Sequence, residues 1–174
     1  MGDVIELRVA GAGDVDALAD IKITGWTSTY TDLVPAQVLE TVVDRTRVRA
    51  DFAALTTDPG AVLLVAADDG VVIGFGVGDA STGYIDSLHV LPTHRSGGTG
   101  RRLLAALASE LHARGSAEIS LHVVSGNTGA QRFYERLGGE LIGTAPADWA
   151  PYDAVVETHY RWSDPSRLVE AATR

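Results

Sequence analysis

Cysteine is absent from this chain, which excludes a disulfide framework, a thiolate metal site and a cysteine nucleophile. Basic residues are scarce too: 14 Lys and Arg stand against 23 Asp and Glu, a formal net charge of −9. A surface of that sign repels a nucleic-acid backbone and an anionic membrane and leans toward a cationic substrate. No apolar run approaches the ~20 residues a bilayer crossing needs. The opening MGDVIELRVAGAGD also lacks a basic stretch followed by a long apolar one, so the cytoplasm is the expected location. No internal repeat, low-complexity tract or linker divides the 174 residues, a length that suits one domain with a sizeable core.

The apolar pattern predicts an α/β order. Val4 to Val9 alternates like an edge strand, and Asp14 is placed to cap a helix from Val15 to about Gly25. The stretch WTSTYTDLVP, Trp26 to Pro35, is the least regular; Trp26 and Tyr30 either line an open pocket or pin a loop over the core. Two helical pieces follow, Ala36 to about Val43 and Val48 to about Leu55, with Arg45, Arg47 and Arg49 on a solvated face. Ala61 to Ala67 reads as a central strand, Asp69-Gly70 as a primed hairpin turn and Val71 to Val77 as its antiparallel return. Gly74, Gly76 and Gly78 imitate a dinucleotide fingerprint, but no helix follows them; the chain runs into another strand, Tyr84 to Val90. Beyond it come a helix ending before Gly115, a strand from Ile119 to Val124, a helix capped by Asn127, and two strands, Leu141 to Thr144 and Val155 to Trp162. Residues 1–163 make the domain, with 164–174 a tail that is a short helix or frayed. A mixed sheet with helices on both faces follows from this order.

The stretch IDSLHVLPTHRSGGTGRRLLAALASEL, Ile85 to Leu111, joins a strand, a glycine-rich turn and an amphipathic helix. Its Arg95, Gly98 and Gly100 precede a helix start whose backbone N–H groups lack intrahelical partners and suit an anion. Between Leu91 and Arg114 stand four Arg and one Glu, a basic island in an acidic chain. Glycines before a helix also serve as a plain tight turn, so a second motif is needed. It is SGNTGAQRFYERLGGE, Ser125 to Glu140.

IDSLHVLPTHRSGGTGRRLL together with NTGAQRFYERLGG resembles the GNAT superfamily of acyl-CoA-dependent N-acyltransferases, across most of the chain. The resemblance implies a mostly antiparallel sheet in which two parallel strands, Tyr84 to Val90 and Ile119 to Val124, splay apart to hold acetyl-CoA as cosubstrate. It implies that Leu88, His89 and Val90 bond the pantetheine arm. The backbone of Arg95, Ser96, Gly97, Gly98, Thr99 and Gly100, with Arg101, would hold the pyrophosphate; Asn127 would touch the arm, and Tyr134 would serve the departing sulfur. The reaction implied is direct attack of a primary amine, on a small molecule or a peptide, in a ternary complex. Ser96, Gly97 and Gly139 depart from residues common in the family.

For the base that frees the amine, Asp86 leads, with His89, His122, His159 or a water chain as alternatives. Trp26, Tyr30 and Tyr152 are candidate acceptor contacts, framed by Trp26 to Pro35 and Ala145 to Asp153. No histidine pair has HExxH spacing, so no metal is expected. The competing readings are a non-catalytic coenzyme sensor or interaction module on this fold, and a nucleotide site using SGGTG, which lacks the Lys-Ser/Thr ending of a P-loop. A homodimer is left open.

Overall fold

The computed structural model describes residues 5–150 and 154–174. Seven strands form one sheet in the order β1-β2-β3-β4-β5-β7-β6. In chain order they are β1 (Glu6–Val9), β2 (Ala61–Asp68), β3 (Val71–Asp79), β4 (Tyr84–Val90), β5 (Ile119–Val124), β6 (Glu140–Pro146) and β7 (Val156–Trp162). Every neighbouring pair is antiparallel except β4 with β5. The helices are α1 (Val15–Tyr30), α2 (Ala36–Val42), α3 (Arg45–Leu55), α4 (Thr99–Ala113), α5 (Thr128–Arg136) and α6 (Pro165–Thr173).

The edge β1 and the β2–β3 hairpin match expectation. Both turn residues, Asp69 and Gly70, have positive φ, 47° and 80°, as a type I′ turn demands. Two helix ends differ. Asp14 occupies the expected N-cap but makes no cap bond to α1: its oxygens accept from Arg8 at 2.8 Å each and from the Gly11 N–H at 2.8 Å. That pairing holds the Asp14 carboxyl below the usual range. And α1 runs on through Gly25 to Tyr30. Gly25 weakens a helix by about 1 kcal/mol against Ala. Here, though, a Cβ would lie 2.8 Å from Nδ1 of His89, so the glycine admits the close approach of β4.

The core has two main parts, one on each face. On one, α4 lies across β3 with Leu103, Leu104, Leu107 and Leu111 fully buried. The sheet surface beneath them is glycine: a Cβ on Gly76 would sit 2.4 Å from Leu107, and one on Gly78 3.0 Å from Leu111. Each glycine weakens its strand by about 0.5–1 kcal/mol, whereas each buried leucine contributes about 1.5–3 kcal/mol. The exchange favours the packed helix. Residues 164–174 join this part: Asp164 caps α6 through the Ser166 N–H, and Leu168 and Ala172 are buried, so the tail belongs to the core. On the other face α1 and α3 bury Leu18, Ile21, Val48 and Phe52 against Val65 and Phe75. Arg45 and Arg49 are half-exposed and pair with Asp16 and Asp20 of α1.

Histidine 89 belongs to that second face. Its ring packs 5.3 Å from Phe75, and burial, aided by the positive charges of Lys22 and Arg95, lowers its pKa to about 3. An unfolded histidine binds its proton near about 6.5. Stability is therefore full above pH ~6.5 and is lost as pH falls from there toward 3, because the unfolded chain takes up a proton the fold refuses. His89→Gln should flatten that stretch of the pH–stability curve, read as urea midpoints; an unchanged slope would mean His89 is not held neutral.

The one parallel pair is short. Tyr84 faces Ser120 and Ile85 faces Leu121, and β4 and β5 have no further register. Gly83 closes this narrow end, its carbonyl accepting from the Ser120 N–H at 3.1 Å. At φ +72° a Cβ there would meet the Glu118 carbonyl oxygen at 2.1 Å, while Gly70, at φ +80°, has open space. Gly70→Ala should lower stability by about 1–2 kcal/mol from left-handed strain alone. Gly83→Ala should lower it distinctly more, a comparison that thermal unfolding of the two variants makes directly.

Candidate active site

Where β4 leaves β5, its sequence phase changes. The register with β3 jumps from Val77–Ser87 to Gly78–Ile85, so Asp86 is the extra residue of a β-bulge. The bulge lets Leu88 and Val90 point to the α4 face as Ile85 does, although the spacing from 85 to 88 is odd. It also sets the backbone. The Leu91 N–H donates to the Ile73 carbonyl at 2.9 Å, so alternation turns His89 toward β3 and turns the N–H and C=O groups of Leu88 and Val90 toward the gap. His89 thus departs from the expected role: its backbone serves β3 and its ring serves the α1 face. Of the groups facing the gap, the Val90 carbonyl already accepts from Arg95 Nε at 3.0 Å.

Past β4 the chain makes a 3₁₀ turn, Pro92–Gly97, and Gly98, at φ 77°, is the N-cap of α4. The first bond closing the helix runs from the Arg102 N–H to the Gly98 carbonyl at 3.0 Å, leaving the N–H groups of Thr99, Gly100 and Arg101 without intrahelical acceptors. Thr99 buries its side chain, whereas Arg95, Ser96, Gly97 and Arg101 are exposed. Arg102 reaches back to the Ile5 carbonyl at 2.8 Å, which accounts for one of the two first-turn arginines as a strand anchor.

On the far wall stands α5. Asn127 caps it, Oδ1 accepting from the Ala130 N–H at 3.2 Å, while Nδ2 donates to the Tyr30 hydroxyl at 3.0 Å. Both ends of this amide thus hold the frame, tying the last turn of α1 to the start of α5. Tyr134 is buried among Phe133, Tyr160 and Trp162. Burial, with Tyr30 and Tyr84 nearby, pushes its hydroxyl pKa up, so it stays protonated at neutral pH. No described side chain bonds that hydroxyl. Gly139, where an aromatic is common in the family, lies against Trp162: a Cβ would be 2.9 Å from the indole. The aromatic volume comes from β7 instead.

The face of β4, β5 and β7 opposite α4 carries a second group. Tyr84 pairs with Ser120, so Tyr84 and Asp86 share a face with Ser120 and His122; His122 pairs with His159, which adds Glu157 and Arg161. Burial, then the negative charges of Asp86, Glu157 and Asp148, raise the Tyr84 pKa. Asp86 is exposed and accepts from the Ser87 hydroxyl at 2.7 Å. Above this face Trp26 lies 4.3 Å from Tyr30 and 5.4 Å edge-on from Trp149, whose indole N–H donates to Glu157 at 2.8 Å. Tyr152 and Asp153 lie outside the described residues.

His122, Glu157 and His159 lie within 4.8 Å of one another, the one group of three possible metal ligands among the described residues. The two rings stack at 3.5 Å with planes 8° apart. Imidazole lone pairs lie in the ring plane, so parallel rings do not aim at one point about 2.0–2.1 Å from both. The donor set does not fit an ion held by both histidines. A cavity of about 310 Å³ lined by Leu7, Leu63, Ala106 and Arg114 lies at the β1 edge, remote from the gap.

Sequence reasoning missed Glu157 and Tyr84. The alternation Glu157, His159, Arg161 on one strand was the available signal, but nothing in it says which strand lies alongside.

Solved structures share this arrangement of elements. A PaiA N-acetyltransferase from Thermoplasma acidophilum in complex with coenzyme A superposes with a TM-score of 0.76 at 18% identity, covering 91% of this chain and 99% of that one. The yncA putative acetyltransferase from Salmonella typhimurium, with its cofactor acetyl-CoA, gives 0.70 at 21% identity over 91% and 93%. An uncharacterized N-acetyltransferase of Mycobacterium tuberculosis is 28% identical over 134 residues, 75% of this chain and 86% of that protein. Residues 25–139 match the Acetyltransferase (GNAT) family, with the strand, turn and helix around the gap inside the match, and the chain belongs to that family.

Proposed function

We propose that this protein transfers the acetyl group of acetyl-CoA to a primary amine by direct attack in a ternary complex. The observation that carries this is the gap itself: a strand edge that presents the N–H and C=O of Leu88 and the N–H of Val90 leads straight to the N–H groups of Thr99, Gly100 and Arg101, which have no intrahelical acceptors. A pantetheine arm has amides that add to such an edge as a strand would, and the diphosphate beyond it meets the helix start. Arg95 and Arg101 supply positive charge there, and Ser96 and Gly97 keep the turn's backbone accessible. Asn127, committed to framing, borders the arm.

In this reading the amine nitrogen attacks the thioester carbonyl carbon and the C–S bond breaks with its electron pair going to sulfur. Backbone N–H at the splayed strand steadies the oxyanion. Tyr134, kept protonated by burial, donates to the departing thiolate. Asp86, with Asp148 and Glu157, draws an ammonium to the opposite mouth, where Trp26 and Tyr30 frame the acceptor. The acidic setting suits a cationic small molecule or a peptide amine. No described helix is long and apolar enough to cross a membrane, and a cytoplasmic location goes with a freely diffusing cosubstrate.

Two substitutions test the reading. Gly100→Asp places a carboxylate among the phosphate-facing amides, and a Cβ there makes only ordinary contacts, the nearest at 3.7 Å. It should raise the calorimetric Kd for coenzyme A by more than about 10-fold while leaving the melting temperature nearly unchanged, since an acid in a first helical turn is favourable. Equal affinity would place the diphosphate elsewhere. Tyr134→Phe should lower kcat by roughly 10- to 100-fold with coenzyme affinity nearly unchanged. Equal turnover in both proteins would remove Tyr134 from the chemistry, and coenzyme binding without thioester cleavage across a panel of amines would favour the sensor.

A further inference from the structure

The transfer step needs a neutral amine, whereas an amine drawn to carboxylates arrives as ammonium. We propose that His122 is the general base that takes this proton, and that Glu157 is the positioning residue that fixes its tautomer. The proposal deepens the acetyltransferase reading and rests on it.

Glu157 is buried, and its two oxygens are divided. Oε1 accepts from the Trp149 indole N–H at 2.8 Å, which leaves Oε2, 3.4 Å from Nδ1 of His122. A carboxylate in that place keeps the ring proton on Nδ1 and leaves the Nε2 lone pair free to accept another. His122 is about one-third exposed, so a substrate ammonium can reach it. Its register puts it one step past the last β4–β5 pair, on the same face as Asp86, which puts both at the mouth of the gap.

The stacked partner decides which histidine takes the charge. Two imidazolium rings 3.5 Å apart repel each other, so one of the pair stays neutral. His159 is that ring. Its Nε2 is buried with no partner among the described residues, and burial, then the neighbouring His122, lower its pKa. His122, in contact with the carboxylate at 3.4 Å and one-third exposed, is the ring a substrate ammonium can reach.

The other charged groups on this face leave the assignment standing. Tyr84, 5.0 Å from the His122 ring, stays protonated because its pKa is raised. Asp86 bonds Ser87, and Arg161, opposite Ser120, pairs with Glu140 at 3.4 Å. Asp148 adds its negative charge near Tyr84 on the same side.

The step balances. The ammonium gives its proton to His122 Nε2, the neutral amine forms the C–N bond, and the C–S bond breaks to sulfur. The tetrahedral nitrogen's remaining excess proton leaves to solvent or to the Tyr134 oxygen as that tyrosine protonates the thiolate. The imidazolium then discharges to water.

The test combines rates and spectra. Acetyl-CoA consumption is followed from pH 5 to 9 with spermidine, kanamycin and an alanyl peptide as acceptors, for the wild type and for His122→Gln, Glu157→Gln and Asp86→Asn. With any accepted amine, His122→Gln should lose at least about 100-fold in kcat/KM and lose the acid limb of the profile, with the coenzyme KM unchanged. Glu157→Gln should lower kcat by at least about 10-fold with the coenzyme KM unchanged, because an amide N–H turned toward Nδ1 leaves the ring proton on Nε2. Asp86→Asn should raise the acceptor KM and leave the limb in place.

Nitrogen-15 NMR of the histidine rings in the coenzyme-bound protein reads the tautomer without any acceptor. His122 should carry its proton on Nδ1 in the wild type and lose that preference in Glu157→Gln. Wild-type kcat/KM in His122→Gln, loss of the limb in Asp86→Asn instead, or a His122 tautomer indifferent to Glu157 would overturn the proposal. If coenzyme A does not bind at all in calorimetry, it is the acetyltransferase reading that fails.

Discussion

A parallel pair of strands that keeps company for only two residues governs the rest of this molecule. Once β4 leaves β5, its backbone has hydrogen-bonding groups with no neighbouring strand, and buried amides without partners are expensive. The fold meets that demand with a wedge-shaped opening rather than by closing the sheet. The bulge at Asp86 supports this: it re-phases β4 so that Leu88 and Val90 turn both a side chain into the α4 core and their amides toward the opening.

Rigid packing around the wedge follows from small residues at chosen places. The glycine strip on β3 lets α4 settle deep enough to bury its leucines, and this fixes where the helix's first amides stand. Gly25 lets α1 approach His89 on the other face. Depth of packing on both sides thus positions the helix start and the last turn of α1, the two elements that border the opening. The Asn127–Tyr30 bond then ties the last turn of α1 to the start of α5.

Much of the fold was legible in the sequence because its periodicity is unambiguous. The order of strands, the primed turn at Asp69-Gly70 and the cap at Asn127 follow from local chemistry, and the two motifs carry the family. The misreadings share a cause. The segment Trp26 to Tyr30 has the hydroxyl residues of a loop and sits behind a glycine, yet it stays helical because Gly25 is packed against His89 of β4 and Tyr30 is tied to Asn127. Asp14 has the right type and place for a cap, yet Arg8 claims its carboxylate. In each case a partner from another element outweighed a local preference worth about 1 kcal/mol.

What the sequence determined by itself was the list of elements, the acidic character, the glycine-rich turn before α4 and membership of the family those motifs mark. What only the tertiary structure decided was which side chains meet across the sheet. Glu157 faces His122 because β7 inserts between β5 and β6, and Tyr30 meets Asn127 across 97 residues of chain. Periodicity assigns a residue to a face of its own strand or helix. It carries no information about which strand lies alongside, and that choice depends on the burial of the whole core at once.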